Sequence, residues 1–361
     1  MADPTDRPRW RRRFSSPQRA SGRRRLPNRP PPPITDPGRR DPPKPFPRKL
    51  PGATPRGPPE QNRERVRPVE MSRPLPFTKM HGAGNDFVLF DGIRNALPSD
   101  LSKLARAIAD RHFGVGCDQM LVVRPSEVAD FCMDIYNADG SQVEMCANGI
   151  RAFYKYLRDA EHTRADEIGV ETLSGIVRPQ WAGEGRVKVD MGLPVLIPEK
   201  IPTTLATGAG PVLDVPIDLP DGLWPEAPHE LRASSVSMGN PHCIIEVDAI
   251  DRIPLDRVGP ALEHHSAFPN RVNVEFIEIS SRERIRQRTW ERGTGETLAC
   301  GSGACAVAVA SMLRDGVDRE ITIELRGGEL QIAWADEISS VWMTGPAASV
   351  FEGVWLVEDD G

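Results

Sequence analysis

A repeated arrangement of one cysteine and several polar residues is the feature that most constrains what this chain can fold into. Residues 146–149 read Cys-Ala-Asn-Gly, and residues 300–303 read Cys-Gly-Ser-Gly. The polar residues that stand nine, 27 and 60 or 61 positions before the two cysteines also match in pairs: Asn137 with Glu291, Gln119 with Asn273, and Asn85 with Asn240. Two homologous halves, each delivering one cysteine, are the simplest explanation. We therefore expect a pseudo-symmetric fold.

The pattern of apolar residues from residue 77 onward predicts an α+β fold that consists mostly of strands. Short apolar runs such as residues 87–90 and 120–123 are separated by Gly, Asp and Asn, as is typical of strands joined by turns. Three stretches have apolar residues at helical spacing, at residues 101–112, 150–159 and 304–313. We predict two domains, an N-terminal half over residues 73–195 and a C-terminal half over residues 196–361.

The first 70 residues differ from the rest in composition. They contain 19 Lys and Arg against 7 Asp and Glu, and half of the 36 prolines, although the whole chain has a net charge of -5. Such a segment cannot bury enough apolar surface to offset its ordering entropy, which predicts a disordered extension over residues 1–72. It is either an arginine-rich arm for nucleic acid or a solvated extension, with Met71 as an alternative start. We favour the second interpretation, and expect no nucleic-acid partner.

The chain shows no signal for export, membrane insertion or metal binding. Residues 11–13 are three arginines, but no apolar segment follows them, and no run of about 18 apolar residues occurs anywhere. None of the six cysteines is in a C-x-x-C pair. We therefore predict a cytoplasmic protein with free thiols, no metal and a small-molecule substrate. The oligomeric state stays open, a homodimer being one alternative.

The two repeated cysteines are each followed by a glycine-containing turn and a helical pattern, so each should lie at a helix N-terminus. There, unpaired N–H groups and the helix dipole stabilise anions, which predicts a thiol pKa below the ordinary value of about 8.5. If the halves are related by a pseudo-two-fold axis, Cys146 and Cys300 face each other. One thiolate can then remove an α-proton while the opposite thiol returns a proton to the other face, without a cofactor.

The remaining cysteines and the histidines carry less information. A lone cysteine is most often a small buried hydrophobic residue, and we interpret four of them in this way: Cys117, Cys132, Cys243 and Cys305. His81 is expected to be structural. For His242 the interpretation stays open between a structural histidine and one that lines the site.

Five ordered motifs resemble those of diaminopimelate epimerases. They lie at residues 80–87 (MHGAGNDF), 137–141 (NADGS), 145–151 (MCANGIR), 239–242 (GNPH) and 291–303 (ERGTGETLACGSG). The resemblance covers about residues 75–355, and five motifs in order are far more specific than a single short pattern. It implies interconversion of L,L- and meso-2,6-diaminopimelate without PLP, in lysine and peptidoglycan precursor biosynthesis. It also implies two halves whose mostly antiparallel sheets each wrap a central helix.

The resemblance also implies roles for individual residues. Cys146 and Cys300 would be the two bases, and Asn148, Gly301 and Ser302 would offer groups at the helix starts to the reacting carboxylate. The amino and carboxylate groups at both ends of the substrate would be held by Asn85, Asn137, Asn240, Asn273, Glu291 and Arg292, with Gln119 nearby. Ala147, which we also place in the site, stands where the family usually has glycine, and we expect activity to survive this methyl group.

Two other functions compete with this interpretation. A proline racemase or hydroxyproline epimerase would use the same two-cysteine chemistry on a cyclic amino acid with one carboxylate. Its site would need apolar walls around a ring, whereas Glu291, Arg292 and several asparagines suit a second charged end. A relative that has lost catalysis and only binds ligands would not be expected to keep both cysteines.

Overall fold

The computed structural model describes residues 73–227 and 230–357. The disordered extension predicted for residues 1–72 lies outside the described residues. The elements of the first part of the chain are β1 (Arg73–Gly82), β2 (Asn85–Asp91), α1 (Leu101–Ala109), β3 (Gln119–Arg124), β4 (Phe131–Asn137), α2 (Ala147–Asp159), β5 (Val170–Thr172), β6 (Gly175–Val177), β7 (Gln180–Trp181) and β8 (Arg186–Asp190).

The second part continues through β9 (Val212–Pro216), β10 (Arg232–Ser237), β11 (Pro241–Glu246), α3 (Leu255–Glu263), β12 (Asn273–Ser281), β13 (Arg284–Glu291), β14 (Gly295–Thr297), α4 (Gly301–Leu313), β15 (Glu320–Leu325), β16 (Gly328–Ala333), β17 (Trp342–Pro346) and β18 (Ala348–Val357). Two short 3₁₀ helices lie at Pro198–Lys200 and Ile250–Arg252. No helix among the described residues is both long and apolar enough to cross a membrane.

Within the described residues, the strands form two sheets. The first contains seven strands in the order β18-β1-β2-β3-β4-β5-β6. The second contains eleven, in the order β7-β8-β17-β16-β15-β13-β12-β11-β10-β9, with β14 paired to β13. The α+β class with few helices is therefore confirmed.

The strand pairing repeats between the two sheets. In the first, β1 and β2 are antiparallel, β2 and β3 parallel, β3 and β4 antiparallel, and β4 and β5 parallel. The same sequence of directions joins β10, β11, β12, β13 and β15 in the second. Helices α1 and α3 occupy equivalent places in this order, as do α2 and α4. The pseudo-symmetry expected from the cysteine repeat is thus present in the topology.

The chain crosses between the sheets twice. Strands β7 and β8 pair in the second sheet, where β8 lies beside β17. The last described strand, β18, returns to the first sheet and pairs with β1. The division of the chain at residues 195 and 196 stays a prediction.

Helices α2 and α4 lie at the centres of the two halves, where each packs its apolar residues against the surrounding strands. Helix α4 is rich in Ala and Val on all sides and is buried over nearly its whole length, as a helix without a polar face must be. It packs against β10, β11, β12, β15, β16 and β17. Helix α2 buries Ile150, Phe153 and Leu157 in a core shared with β2, β3, β4 and β8.

The helix boundaries differ from the sequence pattern in ways that have local causes. Helix α1 begins after Asp100, whose side chain accepts a hydrogen bond from the Lys103 N–H, and ends at Ala109 rather than residue 112. The helix ends there because the Asp110 Oδ1 accepts hydrogen bonds from the N–H groups of His112 and Phe113, which form a turn. Helices α2 and α4 begin three residues earlier than predicted, at the residue after each cysteine. Helix α3 was not predicted, because it contains Pro260 and Gly259.

Candidate active site at the starts of two helices

Cys146 and Cys300 each form the N-cap of a central helix. The Cys146 backbone is extended before α2, and its Sγ atom accepts a hydrogen bond from the Gly149 N–H at 3.3 Å. Cys300 has the same extended conformation before α4, and its Sγ lies 3.6 Å from the Ser302 hydroxyl. Both sulfur atoms are thus placed where the free N–H groups of a helix start are directed.

The first turns of the two helices meet. A methyl group built on Gly301 would lie 3.4 Å from the Ala147 Cβ and 3.5 Å from the Asn148 Oδ1. These two distances are ordinary contacts, so Ala147 fits against residue 301 without a clash, and a methyl group there would be tight only against the Met343 Sδ, at 3.2 Å. The caps of two abutting helices bring the two cysteines to one site.

In the first half, the polar residues predicted for the site form two hydrogen-bonded pairs, one of them beside Cys146. The Asn85 Oδ1 lies 3.9 Å from the Cys146 Sγ and accepts a hydrogen bond from the Asn148 Nδ2 at 3.2 Å. A second pair joins the adjacent strands β3 and β4, since the Gln119 Nε2 donates to the Asn137 Oδ1 at 3.0 Å. The Gln119 Oε1 is buried and has no hydrogen-bond partner among the described residues.

In the second half, the predicted residues cluster at the ends of the equivalent strands. Asn273, the first residue of β12, accepts a hydrogen bond through Oδ1 from the Arg292 N–H at 2.8 Å. Glu291, the last residue of β13, accepts one from the Thr297 hydroxyl at 2.5 Å. The exposed Arg292 side chain donates to the Asn270 carbonyl at 3.0 Å.

His242 belongs to a buried polar chain behind this half of the site. Its Nδ1 lies 2.8 Å from the Glu275 Oε1, and its Nε2 lies 3.0 Å from the Asn240 Oδ1. Both His242 and Glu275 are fully buried. A methyl group on Gly303, in the first turn of α4, would come within 2.5 Å of the Glu275 Oε1. His242 therefore contacts a predicted site residue and lies behind the Cys300 turn.

Burial raises the pKa of the Cys146 thiol, while its neighbours oppose this effect. The N–H groups of Gly149 and Asn148 and the charge of Arg151 favour the thiolate, whereas Glu291 disfavours it. The sequence-based expectation of a lowered pKa is wrong in its net direction. The groups at the helix start lower the thiol pKa, as predicted. Burial raises it by more, because a charged sulfur is less stable away from water.

The pKa of the Cys300 thiol is raised further, well above its ordinary value. Burial is the largest cause, and the nearby carboxylates of Glu291 and Glu275 add to it. The Ser302 hydroxyl and the Gly303 N–H act in the opposite direction without offsetting it. Because Glu291 acts on both thiols, the two sulfur atoms share one electrostatic environment, with the more negative surroundings on the Cys300 side.

The other cysteines and His81 lie outside this group. Cys117, Cys243 and Cys305 are buried and Cys132 is half-buried, and all four are free thiols, as expected of small packing residues. The His81 Nδ1 accepts a hydrogen bond from the Gly84 N–H at 3.4 Å within the β1–β2 turn, which is a structural contact. Among residues 73–227 and 230–357, no group of three or more His, Cys, Asp or Glu side chains is arranged to hold a metal ion.

Three hydrogen-bond partners of the site were not anticipated from the sequence, two of them buried and Asp118 exposed. They are Asp118, Glu275 and Arg151, which hydrogen-bond to Asn85, His242 and Asn148 respectively. Glu275 could have been found, because a carboxylate inside the apolar run of β12 must have a buried partner. Arg151 gave a weaker signal, as an arginine one turn into a helix whose other inward residues are apolar.

Comparison with known proteins agrees with this geometry. The diaminopimelate epimerase family model matches residues 77–197 and 234–350. The diaminopimelate epimerase of Moorella thermoacetica is 48% identical over 281 residues, which cover 77% of this chain and 98% of the relative. That of Nitrosomonas europaea is 48% identical over 280 residues, with the same coverage.

Solved structures with low sequence identity share the fold. A PhzF-family phenazine biosynthesis protein of Bacillus anthracis has a TM-score of 0.60 at 17% identity, covering 79% of this chain and all of that one. A hydroxyproline epimerase of Agrobacterium vitis has a TM-score of 0.55 at 14% identity, covering 80% and 94%. The family match spans most of the described residues and includes both cysteines, so this chain belongs to the diaminopimelate epimerase family.

Proposed function

We propose that Cys146 and Cys300 interconvert L,L- and meso-2,6-diaminopimelate by direct proton transfer at one α-carbon. The observation that carries this proposal is the pair of cysteine N-caps on two helices whose first turns abut. Stereoinversion needs a base on one face of the carbon and an acid on the other, and two thiols on opposite sides of a pseudo-two-fold axis supply both.

The proton transfers balance without a redox partner. One thiolate removes the α-proton, and the electron pair of the broken C–H bond stays on the α-carbon and its carboxylate. The opposite thiol then protonates the planar carbon from the other face and becomes the thiolate. The N–H groups at the starts of α2 and α4, at Asn148, Gly301 and Ser302, would stabilise the charge that spreads onto the carboxylate.

A raised thiol pKa suits this reaction. An α-proton is a weak acid, so a thiolate in a water-poor site is a better base than one in water, although less of it is present at neutral pH. The two sulfur atoms interact through one environment, so their ionisation belongs to the pair. Only one of them is charged at a time in the working enzyme.

The remaining polar residues would hold the two charged ends of the substrate. We assign the amino and carboxylate groups to Asn85, Asn137, Asn240, Asn273, Glu291 and Arg292, with Gln119 beside them. The buried Gln119 Oε1 without a partner offers one acceptor for a substrate N–H group. This polar lining favours a dicarboxylic, diamino substrate over the ring of proline.

The substrate class is tested by comparing turnover of L,L-diaminopimelate with that of D-proline and trans-4-hydroxy-L-proline under the same conditions. We expect epimerisation of diaminopimelate with kcat/KM at least about 10⁴-fold higher than for either cyclic substrate, since buried polar groups reject ligands that leave them unpaired. Comparable or preferred turnover of a cyclic substrate would overturn the assignment.

The cellular setting follows from the chemistry. We propose that the enzyme works in the cytoplasm, where its free thiols stay reduced. A homodimer is compatible with the fold, and the proposal requires no nucleic-acid or membrane partner. The two catalytic halves are assigned to residues 73–195 and 196–361.

A further inference from the structure

A chain of four hydrogen-bonded side chains passes directly behind Cys146. The Arg151 Nη2 donates to the Asn148 Oδ1 at 2.8 Å, and the Asn148 Nδ2 donates to the Asn85 Oδ1 at 3.2 Å. The Asn85 Nδ2 in turn donates to the Asp118 Oδ2 at 2.7 Å. The Cys146 Sγ faces the middle of this chain, 3.9 Å from the Asn85 Oδ1.

The two ends of the chain determine the direction of every bond in it. A guanidinium group can only donate hydrogen bonds, and an ionised carboxylate can only accept them. The Asn148 oxygen must therefore face Arg151, and the Asn85 nitrogen must face Asp118. Asp118 is itself held by the Arg111 Nη2 at 2.7 Å. Each amide consequently has one orientation.

Arg151 is a buried cation without a carboxylate partner among the described residues. Its side chain is fully buried, and its other hydrogen bonds go to the Ala147 and Pro346 carbonyls and to the Met343 Sδ. The backbone is shaped around it, since a methyl group on Gly345 would lie 3.0 Å from its Nε and one on Gly82 3.2 Å from its Nη2.

The position of this cation is unfavourable unless an anion lies nearby. Arg151 stands in the first turns of α2, where the helix dipole already contributes positive potential, and an uncompensated buried charge is strongly destabilising. Burial accordingly lowers the pKa of Arg151 to about 10, and the Cys146 sulfur is the first group that offsets this. Cys305 offsets it less, and of the two sulfur atoms the Cys146 Sγ is the one at the helix start beside the amides that Arg151 orients.

We propose that Arg151 and Asp118 are positioning residues for Cys146. Between them they fix the amides of Asn148 and Asn85 beside the sulfur, and Arg151 supplies the charge that balances the thiolate. The second half lacks this arrangement, because there Asn240 contacts His242, whose other ring nitrogen contacts Glu275. Cys146 is thus the sulfur that ionises first, and Cys300, beside Glu291 and Glu275, is the one that stays protonated. The inference rests on the proposed role of the two cysteines.

The charge of Arg151 is tested by titrating each thiol separately. Thiolate ultraviolet absorbance is followed against pH in Cys300→Ala and Cys146→Ala proteins, with the doubly substituted protein subtracted, each with and without Arg151→Gln. We expect Arg151→Gln to move the Cys146 midpoint upward by about one to two pH units and the Cys300 midpoint by much less. Arg151→Lys, which keeps the charge, should restore most of the shift.

A matched control and a fold check accompany this titration. Arg284→Gln removes an arginine from a surface ion pair with Glu329, and should leave both midpoints unchanged. Circular dichroism establishes that each protein is folded, and Arg151→Met, which removes the charge but keeps a long side chain, is used if Arg151→Gln does not fold. A Cys146 midpoint that does not move, or that moves together with that of Cys300, overturns the proposal.

The role of Asp118 is tested by a double-mutant cycle with Asn85. If Asp118 acts through Asn85, Asp118→Ala should lower kcat/KM at least about tenfold in the otherwise natural chain and have little further effect beside Asn85→Ala. Independent, additive losses would contradict a positioning role. The thiol titration uses no substrate, so it still decides the role of Arg151 if the chain proves inactive on diaminopimelate.

Discussion

At the scale of single residues, the site is a balance between burial and a few charges. Cys146 is surrounded by N–H groups and Arg151, whereas Cys300 is near two carboxylates. Two thiols that the repeat makes equivalent in sequence are therefore different in chemistry. An enzyme that needs one thiolate and one thiol gains from this difference, because it populates the mixed protonation state.

This balance predicts the pH dependence of the reaction. A protonated thiol cannot act as the base, and below its pKa the thiolate fraction grows about tenfold per pH unit. Because burial raises the pKa of both thiols above the ordinary value of about 8.5, kcat/KM should keep rising from about pH 6.5 to about pH 8.5. Initial rates on L,L-diaminopimelate over this range provide the check, and a plateau reached below about pH 7.5 would contradict the assigned shifts.

Some residues of the candidate site could be predicted from the sequence, and others could not. The cysteines and the asparagines of the repeat lie in local motifs, so their offsets were enough to predict them as site residues. Asp118, Arg151 and Glu275 contact those residues only because strand pairing and helix packing bring them close, as with Asp118 and Asn85 where β2 pairs with β3. The net direction of the thiol pKa was also beyond the sequence, because it depends on how deeply the helix starts are buried.

At the scale of elements, the starts of α2 and α4 are the parts that the chemistry requires. Local signals predicted both helices, but placed their starts three residues late because glycine in the first turn weakens the helical pattern. Helix α3 was not predicted, because Gly259 and Pro260 weaken its helical pattern as well. It forms because its packing against Trp290 and β12 overrides these two residues. The two sheets hold α2 and α4 in position, and so they determine that the starts of these two helices meet.

Gly303, in the first turn of α4, is predicted to be required for full stability and activity. A methyl group at Gly303 would lie 2.5 Å from the buried Glu275 Oε1 and 3.3 Å from the Cys300 Cβ. Gly303→Ala should lower the free energy of unfolding by about 1–3 kcal/mol and turnover by at least about tenfold, because both neighbours must move. Chemical denaturation and initial rates measure the two effects.

Gly316→Ala, just beyond the other end of α4, is the matched control. Its methyl group would meet the Ile279 Cδ1 and the Ser311 carbonyl at 3.4 Å, which is ordinary contact. We expect a change in the free energy of unfolding within about 0.5 kcal/mol and unchanged turnover. Equal effects of the two substitutions would show that the Glu275 contact is not what constrains residue 303.

At the scale of the whole molecule, two repeated sheets with exchanged strands hold the two helix starts together. Strands β8 and β18 each leave their own part of the sequence to pair in the other sheet. The repeat of the cysteine motif was sufficient to predict two similar halves, and the pattern of apolar residues predicted their α+β class. The exchange of strands could not be predicted, because β7 and β8 carry no signal for their pairing partner.

Removal of residues 1–70, so that the chain starts at Met71, is predicted to leave catalysis and stability nearly unchanged. The family match begins at residue 77, and every assigned site residue follows it. Docking of the basic segment through exposed charge pairs would contribute about 0 to 1 kcal/mol each and would be screened by salt. Melting temperatures and rates of both chains at low and physiological salt provide the comparison, and a loss of more than about 5 °C or tenfold in rate for the short chain at physiological salt would contradict it.

The most direct test of two-thiol stereoinversion is the fate of the α-hydrogen in D2O. The natural chain should convert L,L-diaminopimelate to the meso form with solvent deuterium at the inverted carbon, after dialysis against a chelator and treatment with a carbonyl-trapping reagent. Cys146→Ala and Cys300→Ala should each abolish this inversion while circular dichroism stays unchanged, because each removes the acid or the base on one face. Inversion at a near-natural rate by either variant, or a meso product that keeps its original α-hydrogen, would contradict the account.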